Sequence, residues 1–155
     1  MIAKTPWTRC APIVAGILLT LVAAVPAMAA SQTREPAPLP DLIEDESCGF
    51  LVEVTFPVND EYAITVSDND GAVTRVIIVG RLVVTFTNPD SGESVTANIS
   101  GPSHIDFVRG TNTQEGLIGG PVGTLPGLSL VAGHLDLNTG ELRGHVSADV
   151  CALLA

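Results

Sequence analysis

The chain has 155 residues, 17 acidic side chains against 7 basic ones, and a formal charge of −10. That length suits one domain. An acidic balance of this size repels nucleic acid and anionic lipid, and no phosphate-cradling glycine loop or basic aromatic surface stands against that exclusion.

Residues 1–29 have the three parts of a secretory signal peptide. Lys4 and Arg9 make a positive start, Ile13 to Val25 is apolar and uncharged, and Ala27-Met28-Ala29 supplies small residues before a cleavage point expected after Ala29. The apolar run is about 13 residues, short of the roughly 20 that a membrane-spanning helix needs. No cysteine stands at the cleavage point, which removes a lipid-anchored reading, and Cys10 leaves with the peptide. The product expected is secreted, extracellular and without a membrane span. Removing 29 of the 155 residues leaves 126, with 17 acids, five arginines and no lysine, so the formal charge falls to −12.

Residues 30–47 read as a flexible lead. Pro36, Pro38 and Pro40 favour extended chain, and Asp41, Glu44, Asp45 and Glu46 form a solvated acidic run. A spacer is the expectation here, ahead of a recognition segment.

Residues 48–155 read as a single β domain. Phe50, Val52, Val54 and Phe56 alternate with polar residues, as do Tyr62, Ile64 and Val66; period two marks strands. Asp68-Asn69-Asp70-Gly71 is a turn signal. It also resembles the start of a calcium loop, but Val73, Arg75 and Val79 fill the downstream ligand positions, which favours a plain turn. Val73 to Val79 is nearly continuous in apolar residues, the pattern of a strand covered on both faces. Gly80 marks a bend or bulge. Leu82, Val84 and Phe86 resume the alternation, Asn88-Pro89-Asp90-Ser91-Gly92 forms a second turn, and Val95, Ala97, Ile99, Ile105 and Phe107 continue the apolar series. Residues 109–127 hold six glycines and two prolines with little period, so a long loop with at most a short strand is expected. A last hairpin is expected near 128–137 and 142–151.

Register in that hairpin follows from keeping apolar opposite apolar. A tight turn at Thr139-Gly140 places Leu137 opposite Leu142, Asp136 opposite Arg143, and His134 opposite His145. His134, His145, Asp136 and Arg143 are therefore the candidate ligand-binding residues. Two opposed histidines with Asp136 or Asp149 nearby have the chemistry of a metal site or an acid/base pair. The competing and preferred reading is a polar outer face stabilised by cross-strand pairs, with no metal, no cofactor and no catalytic residue assigned. Cys48 and Cys151 are the two cysteines left in an exported chain, with no C-x-x-C, and are expected to form a disulfide.

Asn98-Ile99-Ser100 fits a glycosylation acceptor by pattern alone. Ser103, His104 and Asp106 fall in one strand, where neighbours do not converge into a triad, and no G-x-S-x-G elbow occurs. Tyr62 is the one tyrosine and the mature part has no tryptophan, which weakens a sugar-platform reading.

The segments Cys48-Gly49-Phe50 through Val54-Thr55-Phe56-Pro57, Gly80-Arg81-Leu82-Val83-Val84-Thr85-Phe86-Thr87-Asn88-Pro89 and Asn98-Ile99-Ser100-Gly101-Pro102 resemble small exported proteins of actinobacteria with no assigned function. That resemblance implies an exported β domain and transfers no catalytic residue.

The fold expected is all-β: an antiparallel meander of about eight strands closing into an up-and-down β-barrel or a β-sandwich. The function expected is a non-enzymatic binding or surface-interaction module whose partner is a small molecule, an envelope component or a protein. The alternative is a small barrel enzyme, or a metal- or ligand-binding protein, using the His134/His145 face.

Overall fold

The computed structural model describes residues 31–155; the signal peptide expected over residues 1–29, with Cys10, lies outside the described residues. Its strands are β1 (Ser31–Pro36), β2 (Leu42–Asp45), β3 (Val52–Asn59), β4 (Tyr62–Ser67), β5 (Val73–Val79), β6 (Leu82–Thr87), β7 (Ser94–Asn98), β8 (Ser103–Asp106), β9 (Thr111–Pro121), β10 (Leu128–Asp136) and β11 (Leu142–Asp149), followed by the helix α1 (Val150–Leu154). They form a seven-stranded sheet, β1-β4-β5-β8-β9-β10-β11, and a four-stranded sheet, β2-β3-β6-β7. Every pairing is antiparallel.

The two sheets are one ladder bent at a corner. Paired residue numbers add to 141 from Val58↔Val83 in the small sheet to Val66↔Arg75 in the large one. The Asp60 amide donates to the Arg81 carbonyl (2.8 Å) inside the corner and keeps that register. β6–β7 and β5–β8 likewise share a sum of 181, bridged by the Ile99 amide on the Leu82 carbonyl. β3–β4, β5–β6 and β7–β8 are thus three long strands that each turn from one sheet into the other. Gly80, expected at a bend, sits at this corner with φ +146, where a Cβ would run into the Asp60 carbonyl. The meander expected from the short connections is present. Its outer edges, β1/β2 and β11, do not pair among the described residues, so the closed barrel is not formed.

A second bend lies across β9, β10 and β11. Gly116, Gly133 and Gly144 stand opposite one another on three strands, with φ +100 at Gly116 and +147 at Gly133. Gly123 lies beyond one end of β10 and Gly140 beyond the other. A straight strand of that length spans about 30 Å, yet a Cβ at Gly123 would lie 2.5 Å from the Gly140 carbonyl oxygen. The three strands therefore fold back on themselves at the glycine row. Inside the fold they enclose a small core of Ile118, Val122, Val131 and Leu135, with Leu125 and Leu142 packed on it.

The main core lies between the sheets. Val52, Val54, Val84 and Phe86 from the small sheet meet Leu128 and Leu130 of β10. α1 adds Val150 and Leu154, both fully buried. Asn88, also buried, donates from Nδ2 to the Leu154 carbonyl (2.9 Å) and ties the end of the helix to the β6–β7 turn.

Five segments differ from expectation. Residues 31–36 and 42–45 of the lead are not free spacer but edge strands on β4 and β3. They are almost wholly exposed, so backbone pairing, not apolar burial, holds them. Residues 111–121, expected as loop, form the 11-residue β9; its glycines serve bending and close approach, which leave no side-chain period. β5 is half-buried at Val76–Val79 instead of covered on both faces. The last strand stops at Asp149, whose carboxylate accepts the Ala152 amide (3.0 Å) and caps α1, so Cys151 is helical.

Candidate functional site

The histidine face does not assemble as the tight turn predicts. The β10–β11 loop is wider: the Asp136 carbonyl accepts the Gly140 amide (2.7 Å), and the Asp136 amide donates to the Glu141 carbonyl (2.9 Å). Asp136 also accepts the amides of Asn138 (2.8 Å) and Thr139 (3.1 Å) on Oδ1, an Asx-type turn. Leu137 is expelled and 45% exposed. Leu135 takes its place opposite Leu142, His134 faces Arg143, and His145 faces Ala132. The apolar parity survives with the pairing shifted by two residues. His134 and His145 are therefore diagonal, not opposed.

His134 instead has Glu115 of β9 opposite it, with Nδ1 3.4 Å from a carboxylate oxygen. Arg143 turns to Glu141, donating from Nε at 3.0 Å, and is 75% exposed. His145 is exposed. Asp136 is committed to its turn. No group of three or more His, Cys, Asp or Glu side chains able to hold a metal occurs among the described residues.

His104 and Asp106 lie on one face of β8, but Asp106 is engaged elsewhere. It accepts the Arg109 (2.9 Å) and Val108 (3.1 Å) amides and approaches Arg75 at 3.4 Å. The Arg109 amide bond holds its carboxyl below the usual aspartate value of 3.8, with the Arg75 charge adding to this. Ser103 points to the opposite face, as strand alternation requires. At the sheet corner, Glu61 is raised above 4.5 by burial, and the Arg34 guanidinium stacks 3.3 Å from the centre of the Tyr62 ring.

Cys48 and Cys151 are bonded, with Cα atoms 5.2 Å apart. The bridge ties the chain just before β3 to α1. The Leu128 amide points at the Cys151 sulfur (3.1 Å), and a Cβ at Gly127 would collide with the same sulfur at 2.5 Å.

One concavity has the character of a binding site. Between the sheets lies a partly open cavity of about 130 Å³. Val54, Phe56, Val84, Phe86, Ile99 and Leu128 form its apolar wall, and Gly119, Gly120 and Pro121 of β9 form one side. The absence of a side chain at Gly119 makes room: a Cβ there would press on Leu130, Ile99 and Phe86 at 3.1–3.3 Å. The edge strand β2 closes the other side with Ile43 and Asp45. Pairing of Ile43 with Val54 and Asp45 with Val52 puts both side chains on the inner face of the small sheet. Val52 is fully buried, so Asp45 occupies a core-facing position with a carboxylate.

The sequence reading missed this cavity. The alternation of Val54/Phe56 and Val84/Phe86 marks a core face, but nothing in it marks a gap. The gap arises because glycines of β9 stand opposite those side chains, and because β2 belongs to the sheet at all. The one local signal was Asp45, two residues after Ile43 and in phase with it.

Comparison of the chain with protein-family models, with curated proteins and with solved structures finds no match. Fold and site together define a disulfide-bridged, two-sheet antiparallel β domain with an apolar inter-sheet cavity.

Proposed function

We propose that this chain is an exported, non-enzymatic binding module, an open sandwich whose inter-sheet cavity takes a small apolar group. The observation that carries the reading is that cavity. Its wall is hydrophobic, it is open on one side, and its size approaches the roughly 150 Å³ at which an apolar protein cavity accepts benzene. Export is supported by the leader-like pattern of residues 1–29 and by the disulfide, which suits an oxidising compartment.

The runner-up, a catalytic or metal site on His134 and His145, has less support, because the two side chains are offset, His145 is exposed, His134 is half-buried beside Glu115, and Asp136 is spent on a turn.

The test is a titration of the disulfide-bonded protein with benzene and with isobutanol, followed by methyl NMR. Saturable shifts at the methyls of Val54, Val84, Ile99 and Leu128, with the Val73 and Val108 methyls unmoved, are the expected result. No saturable shift up to the solubility of benzene overturns the cavity reading. Export is checked separately by fractionation and mass: the protein should be found outside the cell and begin at residue 30, and a chain found only inside the cell with Met1 retained would refute it.

A further inference from the structure

The inter-sheet cavity carries one more feature than an apolar pocket needs. The inner face of β2 offers two positions, and register gives them to Ile43 and Asp45. Ile43 continues the apolar wall. Asp45 does not: its half-buried carboxylate lines the cavity. Taking a carboxylate out of water costs free energy unless a partner compensates. The compensation visible is local. Oδ1 accepts the Ser47 amide at 2.8 Å and also the Ser47 hydroxyl. Oδ2 reaches solvent and has no protein hydrogen-bond donor among the described residues, none of whose arginines or histidines forms an ion pair with Asp45.

The segment that carries Asp45 is charged with one sign. Asp41, Glu44 and Glu46 flank Asp45 on the same segment. Anions are repelled there, and so is a second copy of a chain this acidic. A divalent cation would need further ligands, and no three-residue cluster of metal-ligating side chains occurs among the described residues. What fits an apolar cavity with one free carboxylate oxygen at its rim is a cation that carries its own hydrogen-bond donors and a small hydrophobic group.

Resting on the cavity reading above, we infer that the ligand is a small hydrophobic primary amine, with its apolar group between the sheets and its ammonium on the Asp45 carboxylate. The ammonium has three donors and satisfies the open carboxylate oxygen without displacing Ser47. The apolar group covers the exposed wall beside Ile43, which is 40% exposed.

The probes are benzylamine, benzyl alcohol and benzoate, titrated into the disulfide-bonded protein at neutral pH and low salt with the methyl NMR readout. Benzylamine should bind about five- to tenfold tighter than benzyl alcohol, the range of a charge-assisted hydrogen bond at a half-exposed site, and benzoate weakest. The preference should shrink in high salt. Asp45→Asn keeps an oxygen for the Ser47 amide and should bring benzylamine down to the alcohol, whereas Glu44→Gln, on the outer face of β2, should leave the ranking intact. If the alcohol binds and the amine binds no tighter, the amine assignment is wrong while the cavity reading stands. If benzene, isobutanol and all three probes fail, the cavity reading falls and the assignment falls with it. An inward charge on an edge strand also blocks strand addition. An Asp45→Asn protein that aggregates with concentration yet still ranks amine over alcohol would give Asp45 that role alone and overturn the assignment.

Discussion

Replacing Gly133 by alanine tests the fold-back of β9–β11 directly. Its φ of +147 lies in a region essentially reserved for glycine. A Cβ there would sit 2.7 Å from the Gly144 Cα and 3.0 Å from the Arg143 carbonyl carbon. Both are backbone atoms, which no rotamer change can move. Backbone strain costs about 1–3 kcal/mol and forced overpacking about 1–3 kcal/mol. Reduced freedom of the unfolded chain returns about 0.4–1 kcal/mol. The net loss is about 3 kcal/mol, a large share of the roughly 5–15 kcal/mol that stabilises a domain. With a urea slope of about 1.5 kcal/mol/M, the unfolding midpoint should fall by about 2 M. Gly92→Ala is the control: φ is +80 and nothing lies within 4 Å, so only the left-handed cost of about 1 kcal/mol applies. Gly116→Ala, with φ +100 and its nearest neighbour at 3.3 Å, should fall between. Equal losses at Gly133 and Gly92 in urea melts would refute the crowded glycine row and the fold-back built on it.

Removing the bridge with Cys48→Ala and Cys151→Ala frees a loop with sequence separation 103; the loss should reach about 4–5 kcal/mol at most, read as a lower urea midpoint with a steeper slope. Asn88→Asp puts a buried carboxylate against the Leu154 carbonyl that Nδ2 now serves, which should cost about 3 kcal/mol at pH 7 and recover as acid neutralises the new group, followed by thermal melts from pH 7 down to about pH 4. Asp106 has a depressed carboxyl pKa, so its charge contributes stability above the ordinary aspartate value that is lost as pH falls through its own lower value. Asp106→Asn keeps the turn acceptors without the charge and should flatten that acid limb; an unchanged limb would show that the Arg109 and Arg75 contacts do not couple to folding. Glu61 is shifted the other way, so it lowers stability once ionised in the fold. Glu61→Gln should raise the melting temperature at pH 7 and leave it unchanged well below the ordinary glutamate pKa.

What the amino-acid order determined by itself was local and periodic. Alternation set the inward faces of β3 and β6, where Val52, Val54, Leu82, Val84 and Phe86 are all buried. Asp68 and Asn88 fixed their turns through side-chain acceptors, with Asp68 Oδ1 taking the Asp70 and Ala72 amides and Asn88 Oδ1 the Asp90 amide. These interactions reach only two to four residues along the chain. With Cys10 expected to leave with the leader, Cys48 and Cys151 had one intramolecular pairing, and that bridge is present. The parity of the last hairpin was also legible, because a slip of one residue would turn Leu135 and Leu142 to the wrong face.

The tertiary structure decided everything that depends on backbone far away in sequence. A slip of two residues preserves parity, so only the Asx-type turn at Asp136 separated His134 from His145. Glycines carry no hydrophobic period, so β9 was invisible until β8 and β10 paired with it, and the row of Gly116, Gly133 and Gly144 existed only once three strands were aligned. β1 and β2 bury almost no side chain; their place comes from the open edges of β4 and β3. The inter-sheet cavity follows from the same cause. Its lining comes from β2, β3, β6, β9 and β10, with Ile99 at the corner after β7, and its size is set by a missing Cβ at Gly119 opposite Phe86. Packing between distant strands fixes such a volume, and no window of consecutive residues contains it.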